Sequence, residues 1–307
     1  MPNVITVIVA YNDFPSLNKC IDSIIAQTKP VNKIIIIDNS IAPVLQELLK
    51  SKKESMGDKL EICHQNVNTG SAGGFSIGMN MAYKFGAEWI WLHDEDDFAE
   101  TDCLEKLLAS NSHSIRTPAI KDPTTGNTLY YFKKHKNMFG YFYNSKTEDS
   151  FVDVAGTAGI LINRCVIEKT GIYNPDFFIG YEDYDYCLRA GKNGFKTAII
   201  KDATIWHPDK QSTKSKENQG LDKFLRFIPA FFGAIKKDSS RDYYAVRNFI
   251  YLSKKYNPAF VFFMQLLISF HLLILFYFFN KNIDLKMSLK TYSGSIRQYP
   301  NLFNSKT

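Results

Sequence analysis

The stretch EWIWLHDEDDFAE, residues 88–100, joins a strand pattern directly to a cluster of acids. Its first half is rich in large apolar residues and predicts a buried β-strand that ends near residue 94. The acid cluster follows and consists of Asp94, Glu95, Asp96 and Asp97. Neighbouring carboxylates repel one another, and a strand end gains no stability from them. A bound divalent cation would remove that repulsion, so the stretch predicts a metal site at the end of a strand.

The residues on either side of this stretch alternate strand and helix patterns. Short apolar or β-branched runs predict further strands at residues 4–10, 33–38 and 59–65. Segments with apolar residues at helical spacing separate them, as in SLNKCIDSIIAQT after the first strand. Strands that are apolar on both faces and joined by helices predict an α/β fold with a mostly parallel sheet covered by helices on both sides.

Polar residues collect at the carboxyl ends of these predicted strands. They are Tyr11, Asn12 and Asp13 after the first strand, Asp38 and Asn39 at the second, and Asn66, Asn68 and Gly70 after the third. Open α/β sheets bind their ligands at the carboxyl ends of the strands. These residues and the acid cluster therefore predict one common site.

Within the acid cluster, Asp94 and Asp96 are the predicted cation ligands. Alternate side chains of an extended segment point the same way, so both could face one ion while Glu95 turns aside. Oxygen ligands suit Mg²⁺ or Mn²⁺, and His207, which follows a strand pattern, would complete a set suited to Mn²⁺. The alternative is a solvated acidic turn that caps the next helix. An EF-hand calcium loop is disfavoured because its glycine and closing glutamate are missing.

Two further motifs are compatible with more than one role. NTGSAGGFSIG, residues 68–78, is a glycine-rich turn that could bring backbone N–H groups to a diphosphate, but a plain turn explains it equally well. It is neither a Rossmann fingerprint nor a P-loop. GYEDYDYCLR, residues 180–189, places Glu182, Asp183 and Asp185 at a predicted helix start. They are either acids favoured by the helix dipole or include a general base that faces an acceptor.

The composition excludes several classes of protein. The chain has 307 residues, of which 45% are hydrophobic, enough for a full core. A net charge of +6 carried by dispersed basic residues does not indicate a nucleic-acid partner. Five cysteines without a CxxC pair predict reduced thiols in a cytosolic compartment. The N-terminus has no basic region and predicts no secretory signal.

The C-terminal part predicts attachment to a membrane surface. Residues 259–279 contain no charge and are long enough to cross a bilayer core. Basic residues lie on both sides of this run, and a single crossing would export a basic tail, which cells disfavour. A basic amphipathic pattern from Leu221 fits a helix on an anionic leaflet. We expect a monotopic or shallow hairpin attachment, with a full span and a soluble or oligomer-forming helix as alternatives.

In their order along the chain, the motifs resemble a family 2 inverting glycosyltransferase with a GT-A fold. The resemblance is carried by VIVAYND, IIIIDNS, NTGSAGGF, WLHDEDD, GTAGILINR, GYEDYDYCLR and WHP, and further on by RDYYAVRNFIYLSKK. The GSAGGF segment is most similar to bacterial galactofuranosyltransferases, with rhamnosyltransferases next. His93 and Glu95 depart from the residues usual there, which leaves the donor sugar open. The implied domains are a catalytic domain (1–210), an amphipathic helical extension (211–256) and a membrane-associating helix with a basic tail (257–307).

The resemblance also implies a role for each site residue. Asp183 would be the catalytic base, and Tyr181, Glu182 and Asp185 would contact the acceptor. Mn²⁺ or Mg²⁺ would be held on the donor diphosphate by Asp94, Asp96 and His207. The nucleotide sugar would be bound by Ala10, Tyr11, Asn12, Asp38, Asn68, Gly70, Gly73, Gly74, Asp94 and Glu95.

The implied activity is transfer of a sugar onto a hydroxyl of a lipid-linked or cell-surface polysaccharide. UDP-galactofuranose is the preferred donor and dTDP-rhamnose the alternative. A non-catalytic nucleotide-sugar or glycan-binding subunit is the alternative of another class. A sugar nucleotidyltransferase is disfavoured because AYNDFPS lacks the glycine-rich basic loop expected after the first strand. The expected location is the cytoplasmic face of the cell membrane, and the sequence is compatible with a homo-oligomer.

Overall fold

The computed structural model describes residues 2–40, 43–110, 113–128, 131–134, 142–145, 151–208 and 241–256. The strands are β1 (Val4–Ala10), β2 (Lys33–Asp38), β3 (Leu60–His64), β4 (Trp89–Asp94), β5 (Phe98–Ala99), β6 (Ile115–Lys121), β7 (Tyr131–Lys134), β8 (Phe142–Ser145), β9 (Phe151–Val152), β10 (Leu161–Asn163) and β11 (Thr197–Trp206). The α-helices are α1 (Phe14–Ile25), α2 (Pro43–Met56), α3 (Gly70–Lys84), α4 (Cys103–Ala109), α5 (Arg164–Thr170), α6 (Glu182–Lys192) and α7 (Arg241–Tyr256).

The chain divides into two compact units. The first comprises Met1–Lys134, Phe142–Phe178 and Glu182–Lys210, and the second comprises His135–Tyr141, Ile179–Tyr181 and Gln211–Thr307. The strands and the helices α1 to α6 belong to the first unit, and α7 belongs to the second. The predicted domain boundaries at residues 210 and 256 stay predictions.

A mixed sheet forms the centre of the first unit. In the described part of the chain it has nine strands, in the order β3–β2–β1–β4–β10–β6–β11–β5, with β9 also paired to β11. The β3–β2–β1–β4 half is parallel, as predicted from the alternation of strands and helices. The other half is mixed, because β10 pairs antiparallel with both β4 and β6, and β5 and β9 pair antiparallel with β11. The prediction of a mostly parallel sheet is therefore correct for one half and wrong for the other.

The parallel half has the burial that its sequence predicts. Every residue of β1 is buried, and β2 is buried from Ile34 onward. Helix α1 begins where the Asp13 side chain accepts a hydrogen bond from the Ser16 N–H, at 3.3 Å. Its buried side chains recur at helical spacing and are Leu17, Cys20, Ile21 and Ile24. Each large apolar side chain buried in this way contributes about 1.5–3 kcal/mol to folding.

Helix α3 begins inside the glycine-rich segment, at Gly70. Gly70 has a φ of +70°, and a Cβ there would collide with the carbonyl oxygen of Phe178. At Gly74 a Cβ would lie only 2.7 Å from Cγ1 of Val9 in β1. The glycines therefore allow the close approach of α3 to β1 and of the Phe178 carbonyl to the start of the helix.

The second unit contains α7, whose Asn248 side-chain amide donates to the carbonyl oxygens of Ile179 (3.1 Å) and Gly180 (2.7 Å). Among the residues that the structure describes, no helix combines the length and the apolar character needed to cross a bilayer. The apolar run at residues 259–279 and the amphipathic pattern from Leu221 lie outside the described residues.

Candidate active site

The carboxyl ends of four neighbouring strands lie side by side and carry most of the predicted site residues. In the parallel registers Ala10 lies beside Asp38, Asp38 lies beside His64, and Val9 lies beside Asp94. The prediction that these strand ends meet at one edge of the sheet is confirmed. Ligands of open α/β sheets bind at such an edge.

The acid cluster forms a tight turn instead of continuing the strand. β4 ends at Asp94, and the Asp97 N–H donates to the Asp94 carbonyl oxygen at 3.2 Å. In return, Oδ2 of Asp97 accepts the Asp94 N–H at 2.9 Å. The extended alternation assumed for Asp94 and Asp96 therefore stops at Asp94, and the turn decides where the later carboxylates lie.

This turn and the end of β11 bring three possible cation ligands together. Asp94, Asp97 and His207 each have one ligand atom within 4.8 Å of the other two, within the part of the chain that the structure describes. Oδ1 of Asp96 lies 3.6 Å from Nδ1 of His207. Two members of the predicted set, Asp94 and His207, are thus brought together, and Asp97 joins them. The role of Asp96 as a ligand stays a prediction.

Asp97 holds the imidazole of His207 in a defined orientation. Oδ1 of Asp97 lies 2.8 Å from Nδ1 of His207, and Asp97 is fully buried. Because a carboxylate accepts hydrogen bonds, Nδ1 carries the hydrogen and Nε2 is the nitrogen that can bind a cation. A carboxylate that orients a metal-binding histidine in this way is common in metalloproteins.

The charges in this cluster act strongly on one another. Burial, followed by the negative charge of Asp97, raises the pKa of Asp94 well above its ordinary value. Burial alone would lower the pKa of His207, but the hydrogen bond to Asp97 and the charges of Asp94 and Asp96 outweigh it and raise that pKa to about 9. Burial raises the pKa of Asp97, yet its contacts with His207 and His93 hold it below the ordinary value. The cluster therefore favours a positive charge at its centre, which a divalent cation can supply.

Glu95 connects the acid cluster to the loop after β1. Its carboxylate accepts hydrogen bonds from the backbone N–H groups of Tyr11 (2.8 Å) and Asn12 (3.4 Å). The side chain thus holds the loop in place, and its orientation relative to Asp94 stays a prediction. Tyr11 is 48% exposed at this edge of the sheet. Direct contacts of a nucleotide with Ala10, Tyr11, Asn12 and Glu95 stay predictions.

Both carboxylate oxygens of Asp38 have hydrogen-bond partners within the protein. Its Oδ1 accepts the N–H of Ser40 at 2.9 Å, and its Oδ2 lies 2.7 Å from Nδ1 of His64. Asp38 is fully buried, whereas the side chain of His64 is 44% exposed. A direct contact of the Asp38 carboxylate with a base or ribose, as predicted, does not fit this burial.

The glycine-rich segment has a packing role in the structure. Asn39 holds it in place by accepting from the Thr69 hydroxyl at 2.8 Å and donating to the Gly70 carbonyl oxygen at 2.8 Å. The Ala72 N–H in the first turn of α3 donates to the carbonyl oxygen of Phe178 at 3.0 Å. The predicted nucleotide-binding glycines Gly70, Gly73 and Gly74 are all buried, and Asn68 accepts the Gly70 N–H at 2.8 Å. Backbone capture of a diphosphate by these glycines is therefore not supported by their placement.

Helix α6 has three acids in its first turn, Glu182, Asp183 and Asp185. Asp183 is partly exposed, and burial together with the charge of Glu182 raises its pKa to about 8. Glu182 is buried and accepts a hydrogen bond from the hydroxyl of Ser71 in α3. The charge of Glu182 also contributes to the raised pKa of Asp94, so the start of α6 and the acid cluster share one electrostatic environment.

Asp185 has a structural role instead of the predicted contact with an acceptor. It is fully buried, and its Oδ2 lies 2.6 Å from Nε of Arg189 one turn later. Arg189 in turn donates to the carbonyl oxygens of Thr170 (2.6 Å) and Ile172 (2.9 Å). A carboxylate enclosed in this network cannot reach a substrate, so the prediction for Asp185 is corrected. Acceptor contacts of Tyr181 and Glu182 stay predictions.

Comparison with known proteins identifies the family to which this chain belongs. Residues 5–171 match the profile of Glycosyl transferase family 2. The chain belongs to this family. The resemblance inferred from the ordered motifs is therefore confirmed, and a glycosyltransferase is the class of enzyme to which the site belongs.

Relatives of this family 2 glycosyltransferase include enzymes for two different sugars. The galactofuranosyltransferase GlfT1 of Mycolicibacterium smegmatis is 32% identical over 220 residues, which are 67% of this chain and 70% of the relative. The dTDP-rhamnosyl transferase RfbF of Shigella flexneri is 26% identical over 263 residues, which are 83% of this chain and 82% of the relative.

Among solved structures, GalNAc-T7 in complex with UDP, GalNAc and Mn²⁺ is similar with a TM-score of 0.58 at 17% identity. The alignment covers 81% of this chain and 51% of that one, so the glycosyltransferase spans about half the length of the solved chain. At this identity the likeness supports the GT-A fold alone.

The structure adds three residues of this glycosyltransferase that motif reasoning did not assign. His64 is the partner of Asp38, Ser71 is the partner of Glu182, and Asp97 orients His207. His64 could have been found, because it lies near the carboxyl end of a predicted strand, at the same edge as Asp38. Ser71 and Glu182 are 111 positions apart, and no local pattern relates them.

Proposed function

We propose that the chain is a metal-dependent inverting glycosyltransferase in which Asp183 is the general base. The proposal is carried by the match to Glycosyl transferase family 2 together with the place of Asp183 at the partly exposed start of α6, where burial and the charge of Glu182 raise its pKa to about 8. A general base works best when its pKa is near the working pH, and an ordinary aspartate is far too acidic for that. The charge of Glu182, the residue before Asp183, also acts on Asp94 in an acid cluster suited to a divalent cation.

The side chains of the cluster fit Mn²⁺ or Mg²⁺. Carboxylate oxygens suit both ions, and one imidazole nitrogen favours Mn²⁺. Both oxygens of Asp97 have partners within the protein, so we assign the cation to Asp94 and Nε2 of His207, with Asp96 as the further candidate. When bound, the cation would neutralise charge on the diphosphate leaving group.

The proposed reaction is a single displacement at the anomeric carbon of the donor sugar. Asp183 accepts the proton of an acceptor hydroxyl while that oxygen forms a bond to the anomeric carbon of the donor sugar. The bond from that carbon to the diphosphate breaks at the same time, and the nucleoside diphosphate leaves with the bonding electrons. Attack from the face opposite the leaving group inverts the configuration of the anomeric carbon. The base contributes about 10² to 10⁴ in rate in reactions of this kind.

For the donor we propose UDP-galactofuranose, with dTDP-rhamnose as the second candidate. Support for the first comes from the GSAGGF segment and from the 32% identity to a galactofuranosyltransferase. Support for the second comes from the longer alignment, at lower identity, with a dTDP-rhamnosyl transferase. The proposed acceptor is a hydroxyl of a lipid-linked or cell-surface polysaccharide.

The deciding experiment is a donor screen. The purified chain with Mn²⁺ and an acceptor glycan is offered UDP-galactofuranose, dTDP-rhamnose and UDP-glucose, and release of nucleoside diphosphate is measured. Rapid release from one of the first two donors, lost in Asp183→Asn, is expected. If every donor stays intact although nucleotides bind, the chain is the non-catalytic nucleotide-sugar-binding subunit instead.

We further propose that the C-terminal segment attaches the enzyme to the cytoplasmic face of the membrane. The support is the uncharged run at residues 259–279 with its basic flanks. Truncation after Tyr256 should move the protein from the membrane pellet to the supernatant and lower activity on a lipid-linked acceptor more than on a soluble one. If full-length protein stays in the supernatant without detergent, the attachment is refuted.

A further inference from the structure

Two bulky residues have a left-handed backbone conformation shortly before the proposed base. Phe178 has a φ of +62° and Tyr181 a φ of +69°. Residues other than glycine rarely adopt such angles, because their Cβ comes too close to the following carbonyl oxygen. Strain of this kind persists only where surrounding contacts hold it, and it occurs often at functional sites. This strained turn, residues 178–181, is followed directly by Glu182 and Asp183.

Helix α3 holds the first residue of the strained turn and the residue after it. The Phe178 carbonyl oxygen accepts the N–H of Ala72 at 3.0 Å. Glu182 accepts a hydrogen bond from the hydroxyl of Ser71. Both donors lie in the first turn of α3, so this helix fixes where the strained turn begins and where α6 starts.

Helix α7 contacts the middle of the strained turn with two successive residues. Nδ2 of Asn248 donates to the carbonyl oxygens of Ile179 at 3.1 Å and of Gly180 at 2.7 Å. The next residue of α7, Phe249, has its ring centroid 6.3 Å from that of Tyr181. Three successive residues of the turn are thus in contact with α7.

Arg247 fixes the orientation of the Asn248 amide. Its Nε donates to Oδ1 of Asn248 at 2.9 Å. A guanidinium group has only donors, so it selects the amide oxygen and leaves the amide nitrogen directed at the turn. Arg247 is 8% exposed and Asn248 is 2% exposed, so water competes little for these bonds. Both residues belong to the motif RDYYAVRNFIYLSKK, which carries part of the family resemblance.

We infer that the pair of Arg247 and Asn248 holds the strained turn in its left-handed conformation and thereby places the carboxylate of Asp183 for proton transfer, an assignment that rests on the proposed glycosyltransferase function. Without the two hydrogen bonds, Tyr181 relaxes toward an ordinary backbone conformation. The start of α6 moves with it, because Tyr181 is joined directly to Glu182. Displacement of a catalytic group by about 1 Å costs about a hundredfold in rate. Asn248 acts through the turn and is a positioning residue.

The test compares Asn248→Asp and Asn248→Ala with the wild type in the full chain. Aspartate has the shape of asparagine but places an oxygen where Nδ2 donates, and alanine removes the whole group. Asn193→Ala is the matched control. The Asn193 amide also donates to two oxygens, the carbonyl of Lys169 at 3.2 Å and the hydroxyl of Thr170 at 3.1 Å, but it follows the other end of α6. The measurements are kcat, the affinity for UDP and dTDP with Mn²⁺ by titration calorimetry, and the melting temperature.

Both Asn248 variants should lower kcat about 10- to 100-fold and change the nucleotide affinity by less than about twofold. Asn193→Ala should change both quantities by less than about twofold. A lower melting temperature with an unchanged kcat would mean that Asn248 only supports the fold, and it would overturn the inference. Loss of nucleotide binding in Asn248→Asp, which keeps the shape of the side chain, would overturn it as well.

A second readout does not depend on turnover. Burial is the largest cause of the raised pKa of Asp183, so a relaxed turn that exposes the carboxylate further lowers this pKa. The titratable groups that interact with Asp183 are Glu182 in the same helical turn, and Tyr173 and Cys187, which burial keeps neutral. Asp183→Asn should therefore raise the melting temperature at pH 8 by less in the Asn248→Asp background than in the wild type. An equal rise in both backgrounds would show that Asn248 does not hold the carboxylate.

These outcomes differ from a failure of the proposed function. If the wild type transfers no sugar from any donor, the catalytic proposal fails, and the melting temperatures still decide whether Asn248 holds the Asp183 carboxylate. If the wild type is active and Asp183→Asn is not, while both Asn248 variants keep the wild-type kcat, the catalytic proposal stands and the inference about Asn248 is refuted.

Discussion

Replacement of Asp183 by asparagine tests the proposed base most directly. Asparagine has nearly the same shape but cannot accept a proton, so binding of the donor nucleotide should change by less than about twofold while kcat falls by about 10² to 10⁴. A loss of this kind, confined to kcat, is expected of a group that acts in the chemical step.

The pH dependence of the wild type follows from the pKa of about 8 at Asp183. About a tenth of the carboxylates are ionised at pH 7, about half at pH 8 and about nine tenths at pH 9. Since only the ionised form accepts a proton, kcat should rise about fivefold from pH 7 to pH 8 and less than about twofold from pH 8 to pH 9. The residual activity of Asp183→Asn should lack this rise.

Stability provides an independent readout of the same group. The pKa of Asp183 is higher in the folded protein than its ordinary value of 3.8, so the folded state keeps a proton that the unfolded chain has lost. The contribution of Asp183 to stability therefore falls as the pH rises from about 4 to about 8. Asp183→Asn should raise the melting temperature at pH 8 and leave it nearly unchanged at pH 4.

The assay is a pH series of kcat by nucleotide release, with melting curves of both proteins at each pH. Asp185→Asn is the matched control, because it makes the same chemical change at a buried carboxylate bound to Arg189. It should keep kcat within about threefold and lose about 1–3 kcal/mol of stability. A fully active Asp183→Asn together with an inactive Asp185→Asn would refute the assignment of the base.

Three further predictions concern the cation and the glycine-rich segment. Excess chelator should abolish activity and added Mn²⁺ should restore it, and full turnover in chelator would contradict the metal assignment. Asp97→Asn should lower the affinity for Mn²⁺ by about 10- to 100-fold because His207 loses its orienting carboxylate, whereas equal Mn²⁺ titrations for both proteins would exclude that role. Gly70→Ala should cost about 1–3 kcal/mol in chemical denaturation, because its φ of +70° and the nearby Phe178 carbonyl leave no room for a Cβ.

Much of the first unit could be predicted from local sequence patterns. The apolar runs of β1, β2, β3 and β4 and the helical spacing of apolar residues in α1 are each contained in a short segment of the chain. Such patterns arise because one or both faces of the segment are buried, so they can be recognised in the sequence alone. The start of α6 with its acids was predicted for the same reason. A parallel sheet follows from the alternation, and it places polar residues at the strand ends on one edge.

Other parts of the fold could not be predicted from local sequence patterns. β10 has only three residues, Leu161–Asn163, and it pairs antiparallel with β4 and β6, whose residues lie about 40 to 75 positions earlier in the chain. The start of α3 at Gly70 likewise depends on a carbonyl from residue 178, more than a hundred residues away.

The sequence by itself therefore determined which residue types stand at the strand ends, and so the family and the acidic character of the site. Only the tertiary structure decided the partners of these residues. The turn after Asp94 placed Asp97 beside His207, and the register of β2 and β3 placed Asp38 beside His64. The physical reason is that hydrophobic periodicity is a property of a short segment, whereas a hydrogen bond between distant side chains requires the order and register of the whole sheet.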